Sequence, residues 1–153
     1  MQKSVSKEHY NMPKIPIIMV DDDDLERYIM SRAIHESGLE CEIHEFTAGD
    51  HFLEVFSDTS RYTEMIGKDA LPASVLLDIN MPRMDGFEVL EKIAELRNEG
   101  HLLPDCFFLL MVTSSNSDAD RKTAGEYNFV KEYMVKPLNV ESLKSVLNKY
   151  YDI

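Results

Sequence analysis

Positive charge, cysteine and long apolar runs are all scarce in this 153-residue chain. Its 16 lysines and arginines stand against 28 aspartates and glutamates, a formal net charge of −12. That balance repels a phosphate backbone and leaves no basic footprint, which argues against direct binding of DNA or RNA. The longest unbroken apolar run covers residues 106–112, far short of the roughly 20 residues of a membrane-spanning helix. The opening MQKSVSKEHYNMPK is polar and lacks an apolar leader core, so the expected location is the cytoplasm. The two cysteines, Cys41 and Cys106, lie in apolar segments rather than in a C-x-x-C pair, which disfavours a disulfide framework or zinc site. Both read as small core hydrophobes. The five histidines (His9, His35, His44, His51 and His101) follow no metal-ligand spacing and read as surface residues.

What is present is one compact domain's worth of alternating strand and helix patterns. Residues 1–14 lack periodicity and contain Pro13, so they read as a flexible lead-in, with the folded domain over 15–151. Ile15 to Val20 forms a short apolar run, followed by Leu25, Ile29, Ala33 and Ile34 at helical spacing up to a stop at Gly38. Residues 41–47 alternate as a strand does, and Phe52, Leu53, Val55 and Phe56 fit a short helix. The polar stretch 57–68 reads as a long loop. Val75, Leu76 and Leu77 form a buried strand ending at Asp78, and Phe87, Leu90, Ile93, Ala94 and Arg97 share a helical face closed by Gly100. Residues 107–112 give a nearly all-apolar strand, 117–126 a polar helix and 133–135 a last short strand. Asn139 is placed to cap a final helix striped by Val140, Leu143, Val146, Leu147 and Tyr150. Five such units with uninterrupted apolar strands predict a doubly wound α/β domain, a parallel sheet with helices on both faces.

Ligands of such sheets bind beyond the carboxyl ends of the strands. The first strand ends in Asp21 and Asp22, the third in Asp78, the fourth in Thr113, and the fifth in Lys136 followed by Pro137. Three carboxylates brought together repel one another unless a cation offsets them. Mg²⁺ suits Asp22 and Asp78 with Asp21 one step back, whereas Ca²⁺ would want more oxygen donors, and no EF-hand loop is present. A carboxylate can itself be a nucleophile and form an acyl phosphate if charge on the phosphoryl oxygens is neutralised, which Lys136 and the metal can do. Thr113 is placed to donate its hydroxyl to a phosphoryl oxygen. Taken singly, Asp78 reads equally well as a turn residue, Thr113 as a strand-end hydroxyl and Lys136 as a surface charge. Their convergence carries the functional reading. Asp23 and Asp24 read instead as a solvated turn, the last aspartate capping the following helix.

The segment from Leu76 to Gly86, LLDINMPRMDG, resembles the phosphoacceptor loop of bacterial two-component response regulator receiver domains, with its D-x-x-M-P-x-M-D-G pattern intact. Val20-Asp21-Asp22, Val112-Thr113-Ser114 and Val135-Lys136-Pro137 resemble that family's other motifs, in the family's order. The resemblance spans about 15–151. It implies a flavodoxin-like five-stranded sheet in order 2-1-3-4-5, direct Mg²⁺ ligation by Asp22, Asp78 and the Asn80 backbone carbonyl with Asp21 acting through water, a switch aromatic at Tyr133, and a cis Lys136–Pro137 bond. Residues 57–72 and 98–104 are longer than most such domains need.

The expected function is therefore a phosphorylation-dependent signalling switch rather than a multi-substrate enzyme. Asp78 would accept a phosphoryl group from a histidine kinase or histidine phosphotransfer protein, and the surface of the fourth helix, last strand and last helix would carry the signal. With no effector pattern after residue 151, output is expected through a partner protein or onward phosphotransfer. Two rivals differ in class. A haloacid-dehalogenase-like phosphatase would require an acid where Asn80 stands, and a pseudo-receiver interaction module would lack a site residue, yet every one is present.

Overall fold

The computed structural model describes residues 13–101 and 106–152. All but Pro13 and Lys14 of the expected lead-in, and most of the 98–104 extension's second half, lie outside the described residues. Strands β1 (Ile15–Val20), β2 (Cys41–Phe46), β3 (Ala73–Leu77), β4 (Phe107–Thr113) and β5 (Val130–Val135) form one parallel sheet in the order β2-β1-β3-β4-β5. Between and after them run α1 (Asp24–Glu36), α2 (Gly49–Phe56), α3 (Thr59–Ile66), α4 (Gly86–Asn98), α5 (Asp118–Gly125) and α6 (Val140–Tyr151). The doubly wound fold, its strand order and the cis Lys136–Pro137 bond are as expected.

The apolar strands are explained by two cores, one on each face of the sheet. Because successive strand residues point to opposite faces, Ile18, Val20, Val75, Leu77, Leu109 and Met111 pack on one side with α2, α4 and Phe129. Ile17, Met19, Leu76, Leu110 and Val112 pack on the other with α1 and α6. A strand buried on both faces has no polar positions to spare. The edge strand β2 is less enclosed, and only its Phe46 is fully buried.

Several element boundaries follow from local chemistry. Gly38 and Gly100 take positive φ values of 78° and 79° just beyond α1 and α4, a backbone conformation that glycine adopts at little steric cost. Asn139 caps α6 through a bond from the Ser142 amide. Asp85 and Glu88 form a reciprocal capping box at the start of α4.

Three sequence readings are corrected. The stretch 57–68 is not a loop, because it holds α3, whose Asp58 carboxylate accepts from the Arg61 amide. Tyr62, Met65 and Ile66, at helical spacing, lay their apolar faces against the core beside α2, and the polar residues between them hid that short stripe. The helix α1 is capped by Asp23 rather than Asp24, since Asp23 accepts from the amides of Leu25 and Glu26. Asp24 is the first helical residue and pairs with Arg27. The cysteines flank the cores rather than filling them: both are half-buried, and burial followed by Glu40 pushes the Cys41 thiol up to about 11.

Candidate functional site

The site sits where β1 and β3 lie side by side while their onward connections run to opposite faces of the sheet. Parallel pairing in register, Val20 opposite Leu77, brings the residues after both strands to one edge. Two backbone bonds extend the ladder into the loops: the Asp78 amide donates to the Val20 carbonyl at 3.1 Å and the Asp21 amide to the Phe46 carbonyl at 3.1 Å. Across the sheet, the Lys136 amide donates to the Thr113 carbonyl at 2.8 Å. Four strand ends are thereby fixed in one crevice.

The loop after Asp78 folds back tightly. The Gly86 amide donates to the Ile79 carbonyl at 2.7 Å, and a Cβ on Gly86 would stand 2.4 Å from the Asp78 carbonyl oxygen and 2.8 Å from the Ile79 Cα. No other residue fits without moving that loop. Arg83, at φ 66°, reaches from the loop to the Asp50 carboxylate at 3.0 Å. That ion pair holds Asp50 below its usual carboxylate range.

Asp21 and Thr113 are completely buried, Asp78 is 7% exposed, and Asp22 is open to solvent. One carboxylate oxygen from each of Asp21, Asp22 and Asp78 lies within 4.8 Å of the others. The Lys136 ammonium lies 2.6 Å from Asp21 Oδ2 and 3.6 Å from Asp78 Oδ2. Burial raises the Asp78 carboxyl above its ordinary value, Lys136 opposes that rise, Asp21 adds to it, and the Thr113 hydroxyl and Ile79 amide moderate it. Burial pulls the Lys136 ammonium down, but its bond to Asp21 and the nearby charges of Asp78 and Glu26 leave it raised and firmly protonated.

These donors suit a hard divalent cation. The oxygens are anionic, the trio outnumbers the single lysine, and the exposed Asp22 leaves one side open for the waters that Mg²⁺ retains. Asn80, two residues beyond Asp78, is exposed beside the same crevice.

A second group of contacts runs outward from Thr113. Its Oγ1 accepts from the Ser115 amide at 3.3 Å, and Ser115 Oγ donates to Asp120 of α5 at 2.5 Å. The Tyr133 hydroxyl donates to the Ser115 carbonyl at 2.9 Å, and the Arg121 guanidinium stands 4.6 Å from the Tyr133 ring centroid. Tyr133 is thus linked to Thr113 through Ser115.

Sequence reasoning missed two participants. Glu26 approaches Lys136 to 3.4 Å, and Arg27 donates from Nη1 to the Asp21 carbonyl at 2.8 Å while Nε binds Glu45 at 2.9 Å. Both lie on the first turn of α1, within five or six positions of Asp21. Their charged side chains carried no periodic signal that set them apart from a solvated helix face.

A five-stranded parallel sheet in the order β2-β1-β3-β4-β5 with helices on both faces is the CheY-like form of the flavodoxin fold. A solved two-component response regulator from Cytophaga hutchinsonii shares this fold, with a TM-score of 0.73 at 22% identity over 93% of this chain and 100% of that one. The chain belongs to the response regulator receiver domain family, whose model matches residues 17–148. Among relatives, the probable methanogenesis regulatory protein FilR2 of Methanothrix harundinacea (strain 6Ac) is 33% identical over 134 residues, 87% of this chain and 79% of that protein. The response regulator MprA of Mycobacterium leprae is 31% identical over 127 residues, 83% of this chain. The chain spans 46% of the length of MprA. No described helix is long and apolar enough to cross a membrane.

Proposed function

We propose that this receiver domain, over residues 15–151, is a switch that accepts a phosphoryl group on Asp78 from a phosphohistidine donor. The observation that carries the reading is the buried Asp78 carboxylate with the Lys136 ammonium 3.6 Å away and the Asp21 and Asp22 oxygens within 4.8 Å. In the proposed step an Asp78 carboxylate oxygen attacks phosphorus, the phosphorus–nitrogen bond breaks, and its electron pair leaves on the donor imidazole. Lys136 turns an N–H toward the phosphoryl oxygens and offsets their charge, and the Thr113 hydroxyl donates to one of them. Mg²⁺, held by Asp22, Asp78 and the Asn80 carbonyl with Asp21 behind them, would supply further neutralisation of the transferring oxygens. Attack of water on phosphorus, with cleavage of the phosphorus–oxygen bond to Asp78, resets the switch and releases inorganic phosphate.

When Thr113 turns toward a phosphoryl oxygen, its acceptance from the Ser115 amide is weakened, and through Ser115 the anchors of Tyr133 and Asp120 change. The surface of α5, β5 and α6 then presents a different face to a partner protein or a further phosphotransfer protein. Donor recognition has a separate candidate. Leu25 and Tyr28, 64% and 60% exposed, are the large apolar side chains most open to solvent among the described residues, and they stand three positions apart on α1, the helix whose Glu26 reaches Lys136. We assign them to docking of the phosphohistidine protein.

The test is acetyl phosphate or beryllofluoride with Mg²⁺ on the wild type and on Asp78→Asn. The wild type is expected to gain one acid-stable, base-labile phosphate and a Mg²⁺-dependent spectral change, and the variant neither. A wild type that gains neither phosphate from acetyl phosphate nor a Mg²⁺-dependent spectral change with beryllofluoride sinks the reading, and steady turnover of several phosphomonoesters would return it to the phosphatase class.

A further inference from the structure

Lys136 has one more anionic neighbour than phosphoryl transfer uses. Its ammonium lies 2.6 Å from Asp21, 3.4 Å from Glu26 and 3.6 Å from Asp78, so Glu26 stands closer to it than the proposed acceptor does. An ammonium has three N–H donors, and three carboxylates can engage all of them. Any phosphoryl oxygen that needs Lys136 must displace one of these.

Glu26 is the partner that can yield. Asp21 is buried and makes the shortest contact, while the Glu26 side chain is 31% exposed. Its position is nonetheless fixed, because the Asp23 cap accepts from the Glu26 amide at 3.1 Å and so sets the first turn of α1 over the crevice. Among the described residues Lys136 is the one cation paired with Glu26. Its carboxylate also adds negative charge at the mouth through which an anionic donor must approach.

Resting on the phosphoacceptor reading of Asp78, we propose that Glu26 is a rate-setting positioning residue: it holds Lys136 in the resting cradle and repels anionic phosphodonors, keeping phosphorylation by small anions slow. The covalent step is unchanged. Asp78 oxygen attacks the phosphorus of acetyl phosphate, the bond from phosphorus to the bridging oxygen breaks, and acetate leaves with the electron pair. Glu26 governs how readily Lys136 reaches the phosphoryl oxygens and how strongly the mouth rejects the donor.

The experiment measures phosphorylation rates of the whole chain at fixed Mg²⁺ with acetyl phosphate and with the less negatively charged phosphoramidate. Wild type, Glu26→Gln and Glu26→Asp are compared. Glu26→Gln, of the same shape without the charge, is expected to react about fivefold faster with acetyl phosphate, with a smaller gain for phosphoramidate and a gain that shrinks in high salt. Glu26→Asp keeps the charge and is expected to stay within about twofold of the wild type. A change confined to folding would move both donors alike and would not depend on salt. If the wild type is phosphorylated and Glu26→Gln matches it, or speeds both donors equally, this inference falls and the phosphoacceptor reading stands. If the wild type takes phosphate from neither donor, both fall.

Discussion

Asp78 is a carboxylate that the fold burdens. Between the ordinary carboxylate value of 3.8 and the raised one in the folded protein, the native state holds a proton that the unfolded chain has lost. Stability therefore falls as pH rises through that window, and at neutral pH the ionised Asp78 opposes folding in metal-free buffer. Asp78→Asn is expected to stabilise the metal-free protein in urea titrations near pH 7, a gain that disappears once the pH falls below the ordinary carboxylate range. Millimolar Mg²⁺ should raise the midpoint of the wild type more than that of the variant, since a ligand that binds only the native state stabilises it. Gly86→Ala meets a different obstacle, a Cβ 2.4 Å from the Asp78 carbonyl. It should lower stability by about 2 kcal/mol in the same assay and slow phosphorylation, because the loop that aims Asp78 has to move. The residues of this site were legible in the sequence because each ends an apolar strand, and strand ends converge in a doubly wound sheet. Glu26 and Arg27 were not, because their contacts depend on how far α1 leans over the crevice, which no spacing records.

At the scale of elements, α1 is both the roof of the site and a candidate docking face. Leu25→Ala and Tyr28→Ala are expected to slow transfer from a phosphohistidine protein about tenfold each, while leaving the rate with acetyl phosphate unchanged, because only the protein donor uses that apolar face. Equal slowing with both donors would place these side chains in folding rather than docking. The helix α3 makes a simpler prediction. Tyr62 meets the Phe56 ring edge-on at 5.3 Å, so Tyr62→Ala should lower stability by about 2–3 kcal/mol in thermal or urea unfolding. Loss of the Asp58 cap in Asp58→Ala should lower it by about 1 kcal/mol. This helix escaped sequence reading because it is only eight residues long, and three apolar side chains on a short polar segment look the same in a loop. The longer α1, α4 and α6, with stripes of four or five apolar residues and recognisable caps, did not share that ambiguity.

For the molecule as a whole, the sheet acts as a partition between two cores, and the cluster of Asp21, Asp22, Asp78 and Lys136 gathers at one of its edges. The alternation of apolar strand and helix patterns was enough to infer that plan, because β strands buried on both faces tolerate few polar residues. The strand order rested on resemblance, since uniform apolar strands do not reveal which neighbours pair. At the opposite edge from the crevice, the hydroxyl of Tyr151, near the end of α6, lies 2.9 Å from Ser74 Oγ and also donates to the Pro72 carbonyl. Strand β1, parallel to β3, begins at that same edge. Anything attached near Lys14 or Asp152 is therefore about 17 Å, the depth of a five-residue strand, from the phosphoryl crevice. A dye, an affinity handle or a surface tether joined there would leave the mouth between Asp22 and Glu26 free, so immobilised protein should take up phosphate at the rate of protein in solution.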